Sequence, residues 1–278
     1  MRTTYVLAPV PALALMLAGV TSCGHQDTLP AATHRPAARS ASTADSSPGT
    51  SRPTGGPLAG RVVVIDPGHQ LGNRRHTAQI NRRVWIGNGY TACNTTGTAT
   101  DSGFPEATFT WRVATRMRVQ LRALGARVIM TRKANSTSLW GPCVDARGRR
   151  GDAVHADLKV SIHGDGSYAG GAHGFHVIYA PDHKPTADSY EGSRRLALKT
   201  RAAMGRAGFA RANYVAGGDG LDVRSDLGTL NLSNMPTVMV ECGNMRNAAD
   251  AARMSSPSGQ LRYASALVRG IRAFLASR

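Results

Sequence analysis

The strongest pattern along the chain is an apolar run that stops abruptly in a turn and delivers a histidine. Val62, Val63, Val64 and Ile65 are four β-branched residues in succession, which favours a buried strand over a helix. Pro67 and Gly68 cannot continue a ladder, so His69 is predicted to emerge at the C-terminal end of that strand, where ligands bind in open α/β sheets. The arrangement recurs twice. Residues 157–162 run into His163, Gly164 and Asp165, and residues 236–240 run into Glu241, Cys242 and Gly243. One such ending reads as a satisfied structural residue, whereas three in one chain favour a shared site, and the residue types favour a metal.

Between these strands the apolar period changes to that of helices. Phe104, Pro105 and Glu106 open a helix in which Phe109, Val113, Met117, Leu121 and Leu124 recur at helical spacing until Gly125. Glu106 in its first turn complements the helix dipole and needs no other role on that ground alone. Further on, residues 127–131 read as a strand, 144–156 as a polar helix, and 174–180 as a strand. That last strand has Phe175, Val177 and Tyr179 on one face and His176 and Ile178 on the other. Helical spacing returns over 189–208 and over 261–275, where Leu261, Ala264, Leu267, Val268, Ile271 and Leu275 form an apolar stripe. This alternation predicts an α/β fold with a mixed, largely parallel central sheet flanked by helices on both faces. The polar, glycine-rich region 70–103 is long for a connection inside a compact domain, and its position beside His69 favours a functional loop.

The ends of the chain follow a different pattern. Residues 1–23 carry an early arginine and then a mostly apolar stretch broken by two prolines, too short for a comfortable membrane span, and read as a secretory signal. The stretch Val20, Thr21, Ser22, Cys23 resembles a bacterial lipobox, which implies cleavage before Cys23 and its lipidation. Residues 24–57 are rich in Ala, Ser, Thr, Pro, Gly and Arg with hardly a large apolar side chain, the composition of a disordered tether. Residues 58–278 remain as one catalytic-sized domain.

Charge and cysteines then change the picture. The balance is 34 basic against 17 acidic residues, +17 overall, and the basic residues are mostly arginine. In the cytosol this would suggest nucleic acid, but an exported chain meets anionic wall polymers first, so no nucleic-acid partner is expected. With Cys23 lipidated, three cysteines remain where disulfides persist. Cys93 and Cys143 both fall in predicted loops and are paired, while Cys242 directly follows a buried strand and is left as a buried thiol.

Four pieces now carry a family resemblance. Residues 64–69 (VIDPGH), Glu106 at the head of the first helix, residues 160–163 (VSIH) and residues 238–244 (VMVECGN) resemble, in that order, the zinc-dependent N-acetylmuramoyl-L-alanine amidases of the type 3 family. The stretches 98–106 and 141–145 look like its actinobacterial single-domain branch, which implies the same Cys93 to Cys143 disulfide. The resemblance implies one Zn²⁺ held by His69, Glu106 and His163, with the fourth position open to water. Glu241 is then the catalytic carboxylate that moves a proton to the leaving nitrogen. The implied reaction cleaves the amide between N-acetylmuramic acid and L-alanine of the stem peptide, at the outer face of the membrane or in the wall. Asp66 and Asp165 are candidates to orient the histidines or to cap turns. Arg224 and His176 are candidate substrate contacts, against a surface role for the first and a buried structural role for the second. Residues 167–174 leave no room for the inserted helix that plugs the site in regulated septal members, and no wall-binding repeat is seen. Two alternatives stand beside this reading: an exported lipoprotein that binds peptidoglycan or another anionic polymer without catalysis, and a zinc peptidase acting within the stem peptide.

Overall fold

The structure is a computed structural model in which residues 55–277 are described. The predicted signal at 1–23, Cys23 and nearly all of the predicted tether at 24–57 lie outside the described residues.

Among the described residues, eight strands and seven α-helices follow one another from β1 (Val62–Pro67). Helix α1 (Thr77–Ile80) and the hairpin strands β2 (Arg83–Trp85) and β3 (Tyr90–Ala92) come next. They precede α2 (Glu106–Ala123), β4 (Arg127–Met130), α3 (Val144–Gly148), β5 (Leu158–Asp165) and β6 (His176–Tyr179). The remainder is α4 (Tyr190–Arg206), β7 (Leu221–Val223), α5 (Gly228–Asn231), β8 (Thr237–Asn244), α6 (Ala248–Ser255) and α7 (Pro257–Leu275). Six strands form one sheet in the order β4-β1-β5-β8-β6-β7, and β2 with β3 forms a separate hairpin. Every pairing in the large sheet is parallel except β6 with β8, so the sheet is mixed and largely parallel. Among the described residues no helix is long and apolar enough to cross a membrane.

The β-branched run of β1 is buried on both sides because alternate side chains serve two cores. Val63 and Ile65 join the main core with α2, α4 and α7, while Val64 faces a smaller cluster with Ala156 and Met235. On α2, Phe109, Val113, Met117 and Leu121 are fully buried, as their spacing predicts. Truncating any one of these large side chains to alanine would cost about 2–5 kcal/mol.

Several local expectations are corrected. Residues 70–103 are not one open loop, since they hold a 3₁₀ turn, α1 and the β2–β3 hairpin. The helix expected over 144–156 stops at Gly148 and gives way to a 3₁₀ turn at Asp152–Val154. Gly151, at φ 104°, sets that break: a Cβ there would lie 2.5 Å from Val64 Cγ2, so the chain turns where it packs against β1. Strand β7 and helix α6 lie in segments that carry no strong period. Leu261, placed on the apolar stripe of the last helix, is 51% exposed, whereas Ala264, Leu267, Val268, Ile271 and Leu275 are buried.

Candidate active site

The parallel pairing of β1, β5 and β8 brings their C-terminal ends to one edge, where the strand-end residues gather. His163 on β5 pairs in register with Glu241 on β8, and Pro67 on β1 with Ile162, one residue before His163. Helix α2 starts at Glu106, directly above that edge. Glu106 Oε1 lies 3.1 Å from His69 Nε2 and 3.0 Å from His163 Nδ1. Its two oxygens also accept hydrogen bonds from the backbone of Gly164 (3.1 Å) and Thr98 (2.9 Å). One potential ligand atom from each of His69, Glu106 and His163 falls within 4.8 Å of the others. Tetrahedral ligands at the usual zinc distances sit roughly 3.3 Å apart, so two imidazole nitrogens and one carboxylate oxygen, with both oxygen-to-nitrogen spacings near that value, fit zinc in donor type. Gly68 permits the approach, because a Cβ there would meet the His163 ring at 2.4 Å.

His69 is held from two sides. It adopts φ 56°, a conformation a non-glycine residue keeps only when its surroundings impose it. Arg147, on α3 and almost fully buried, donates through Nη2 to His69 O at 2.7 Å. Its Nη1 donates to Pro67 O (2.7 Å) and to Asp66 Oδ1 (2.6 Å), and its Nε to Pro142 O (2.9 Å). Arg132, also buried, donates to Pro67 O at 3.1 Å and to Ala107 O at 2.8 Å, tying the turn to the start of α2. On the other side, His69 Nδ1 lies 3.2 Å from Thr95 O. The Thr95 hydroxyl is equally close to Nδ1, at 3.2 Å; the tautomer with its proton on Nδ1 donates to the carbonyl and leaves Nε2 free to ligate a metal. Asn73, fully buried, donates to the same Thr95 O and accepts from Gly141 N. The Cys93–Cys143 disulfide joins the two segments involved, one leading to Thr95 and the other to Arg147. Cys242 is a free buried thiol, as expected.

Charge is partitioned across this floor. Burial pushes Glu106 toward the neutral acid, but the two histidines outweigh it and hold the carboxyl well below its usual range. Burial also opposes protonation of both imidazoles; at His69 the Glu106 carboxylate prevails and raises the pKa, whereas at His163 burial prevails and lowers it. Asp66 touches neither imidazole. It accepts from Arg147, Ser161 (2.6 Å) and Thr131 (2.5 Å), which together outweigh burial and keep it ionised. Asp165 likewise caps its own turn through Gly166 N and accepts from Tyr214 Oη at 2.9 Å.

Glu241 differs from these carboxylates. Its Oε2 is enclosed and has no hydrogen-bond partner among the described residues. Burial first, then the charges of Glu106 and Asp165, push its pKa well above the usual carboxylate value, with Arg224 opposing. Glu241, His69, Glu106, His163 and Arg224 line one cavity of about 540 Å³. Arg224 is half-exposed there and is engaged by Asp226 at 2.9 and 2.6 Å. His176 is not in the cavity wall; it is buried beside Glu241 across the β6–β8 pairing, its ring 6.3 Å from that of Tyr214. Arg147, Asn73 and Thr95 escaped sequence reasoning because nothing local marks them; they act across 20 to 80 positions of chain.

Comparison with known proteins meets this geometry directly. Residues 63–273 match the family model described as N-acetylmuramoyl-L-alanine amidase. The chain belongs to that family. It is 45% identical to N-acetylmuramoyl-L-alanine amidase Rv3717 of Mycobacterium tuberculosis over 224 residues, 80% of this chain and 89% of the relative. The crystal structure of the amidase Ami1 from Mycobacterium smegmatis superposes with a TM-score of 0.73 at 41% identity, covering 80% of this chain and 99% of that one. The apo form of Ami1 from Mycobacterium abscessus gives 0.72 at 45% identity, covering 78% and 100%. The fold is that of this family, and the activity is that of a peptidoglycan amidase. Neither the catalytically lost binder nor the stem-peptide peptidase is favoured.

Proposed function

We propose that the chain hydrolyses the amide joining N-acetylmuramic acid to L-alanine of the stem peptide with one zinc ion held by His69, Glu106 and His163. The observation that carries this reading is the partition of the site: three mutually close ligand atoms on one side, and one unpartnered carboxylate, Glu241, facing the same cavity. When bound, zinc would polarise the scissile carbonyl and bring the pKa of a water toward neutrality. Glu241 takes the proton of the attacking water and passes it to the alanine nitrogen, which cannot leave as an anion. Its raised proton affinity suits both halves of that transfer. Arg147 and Thr95 keep His69 oriented, so little is spent on reorganisation when the substrate enters.

Chain delivery belongs to the same proposal. Residues 1–23 direct export, lipidation of Cys23 anchors the enzyme at the outer face of the membrane, and 24–57 form the tether between that anchor and the domain. The substrate is peptidoglycan or its muropeptide fragments, with the basic surface adding affinity for anionic wall polymers. Digestion of purified wall followed by mass spectrometry tests the reaction: free stem peptides beginning with L-alanine are expected, and fragments cut between stem residues would contradict it.

A further inference from the structure

Arg246 is a cation in the cavity wall whose position the proton transfer does not use. It follows β8 and lines the cavity that contains Glu241 and the three candidate ligands. Its guanidinium carbon lies 4.8 Å from the centroid of the Tyr168 ring, on the β5–β6 connection, and that ring is 79% exposed. The pair is built into the fold. Asn244, almost fully buried, donates from Nδ2 to Ser167 O and Ala172 O, both at 2.9 Å, fastening the Tyr168 loop to β8. The same side chain accepts from Arg246 N through Oδ1 at 3.1 Å, so ring and guanidinium are placed by one residue.

The donors of Arg246 are incompletely used. Nη1 reaches Asp101 at 3.0 Å, but the Asp101 side chain is 76% exposed, so water competes for that pair and another carboxylate can exchange with it. Nε is enclosed and has no hydrogen-bond partner among the described residues. Arg224, at another part of the cavity, turns its Nε and Nη2 donors to the two oxygens of Asp226. A guanidinium stacked on an aromatic ring in the cavity wall, its terminal nitrogens engaged only by an exposed aspartate, suits binding of a carboxylate. The stem peptide presents such groups close to the bond that is cut. Resting on the amidase reading above, we propose that Arg246, with Tyr168 stacked on it, binds a free stem-peptide carboxylate and makes the enzyme select against stems in which that group is amidated.

The test uses two matched muropeptides, one with its stem carboxylates free and one with them amidated, and compares kcat/KM for the wild type, Arg246→Gln and Arg246→Lys. Wild-type enzyme should prefer the free carboxylate by about tenfold or more, the factor that a hydrogen bond to a charged group carries. Arg246→Gln should lose that factor on the free-carboxylate substrate and little on the amidated one, with zinc content unchanged, and Arg246→Lys should recover part of it. A wild type indifferent to amidation, or an Arg246→Gln loss equal on both substrates, would overturn the proposal while leaving the amidase reading standing. Failure of the wild type to cut the muramoyl-alanine bond in either substrate would overturn the amidase reading, and this proposal with it.

Discussion

The two sides of the cavity treat buried polar groups in opposite ways. On the β1 side, Asp66, Arg147, Glu106 and Asn73 are all buried, and each makes several short hydrogen bonds. On the β8 side Asn244 is also satisfied, but Glu241 Oε2 and Arg246 Nε are enclosed without partners among the described residues. An unsatisfied buried group costs about 1–3 kcal/mol, more when charged, so a fold keeps such groups where something else completes them. On the proposed reading the satisfied side is the fixed ligand frame and the unsatisfied side receives the reacting molecules. This is a division of labour within one sheet edge, produced by the parallel pairing of three strands.

The comparison can be broken at several points. The largest effect is expected from the ligand frame: a His69→Ala, His163→Ala double variant should lose its zinc and all activity above background. Metal analysis checks this, and full zinc occupancy in the double variant would contradict the assignment. Next comes the support of that frame. Arg147→Ala leaves Asp66 as an unpaired buried charge and should destabilise the domain by about 3–5 kcal/mol, measured by denaturant unfolding. The pH dependence follows with a definite sign. Asp66 has a native pKa below its unfolded value, so its contribution is fully present above about pH 4 and is lost as the pH falls through the native pKa. Arg147→Ala should therefore flatten the acid limb of the stability curve.

Smaller effects sharpen the picture. Replacing Cys93 and Cys143 by serine opens a loop with a sequence separation of 50 residues. Chain entropy alone puts that loss at roughly 4 kcal/mol, less any strain. Because the bond also joins the Thr95 and Arg147 segments, zinc affinity should weaken along with the midpoint of unfolding. The smallest change is expected at Arg224, whose ion pair is half-exposed and contributes about 0.2–1 kcal/mol. Arg224→Gln should lower turnover less than tenfold. It should also move the acid limb of the activity profile to higher pH, because a cation that favours the Glu241 carboxylate has been removed. An acid limb that stays in place would show that the two charges are not coupled.

Much of the ligand frame was legible in the sequence because it sits on short-range punctuation. An apolar run that ends in Pro67 and Gly68 places His69, and the strands before His163 and Glu241 do the same for them. From its local pattern Glu106 was legible as a helix start, and only the resemblance implied it as a ligand; its approach to both histidines depends on how α2 packs on β1 and β5. Arg147 and Arg246 were invisible because the chain holds 34 basic residues and no local pattern separates a buried arginine from a solvated one. The break after Gly148 was equally hidden, since it is set by the contact of Gly151 with Val64, more than 80 residues away. Edge strand β7 contains Asp222 and follows Gly220, so propensity alone argues against it, and pairing with β6 decides the outcome.

The central claim is that Glu241 moves protons while His69, Glu106 and His163 hold the metal, and Glu241→Gln separates the two roles most directly. The substitution keeps the shape and removes the carboxylate. Positioned proton transfer contributes about 10²- to 10⁴-fold, so turnover on purified wall should fall by about two orders of magnitude or more. Zinc stoichiometry and peptidoglycan binding, measured on the same preparation, should match the wild type. Loss of zinc would make Glu241 a ligand, and undiminished turnover would contradict the account outright.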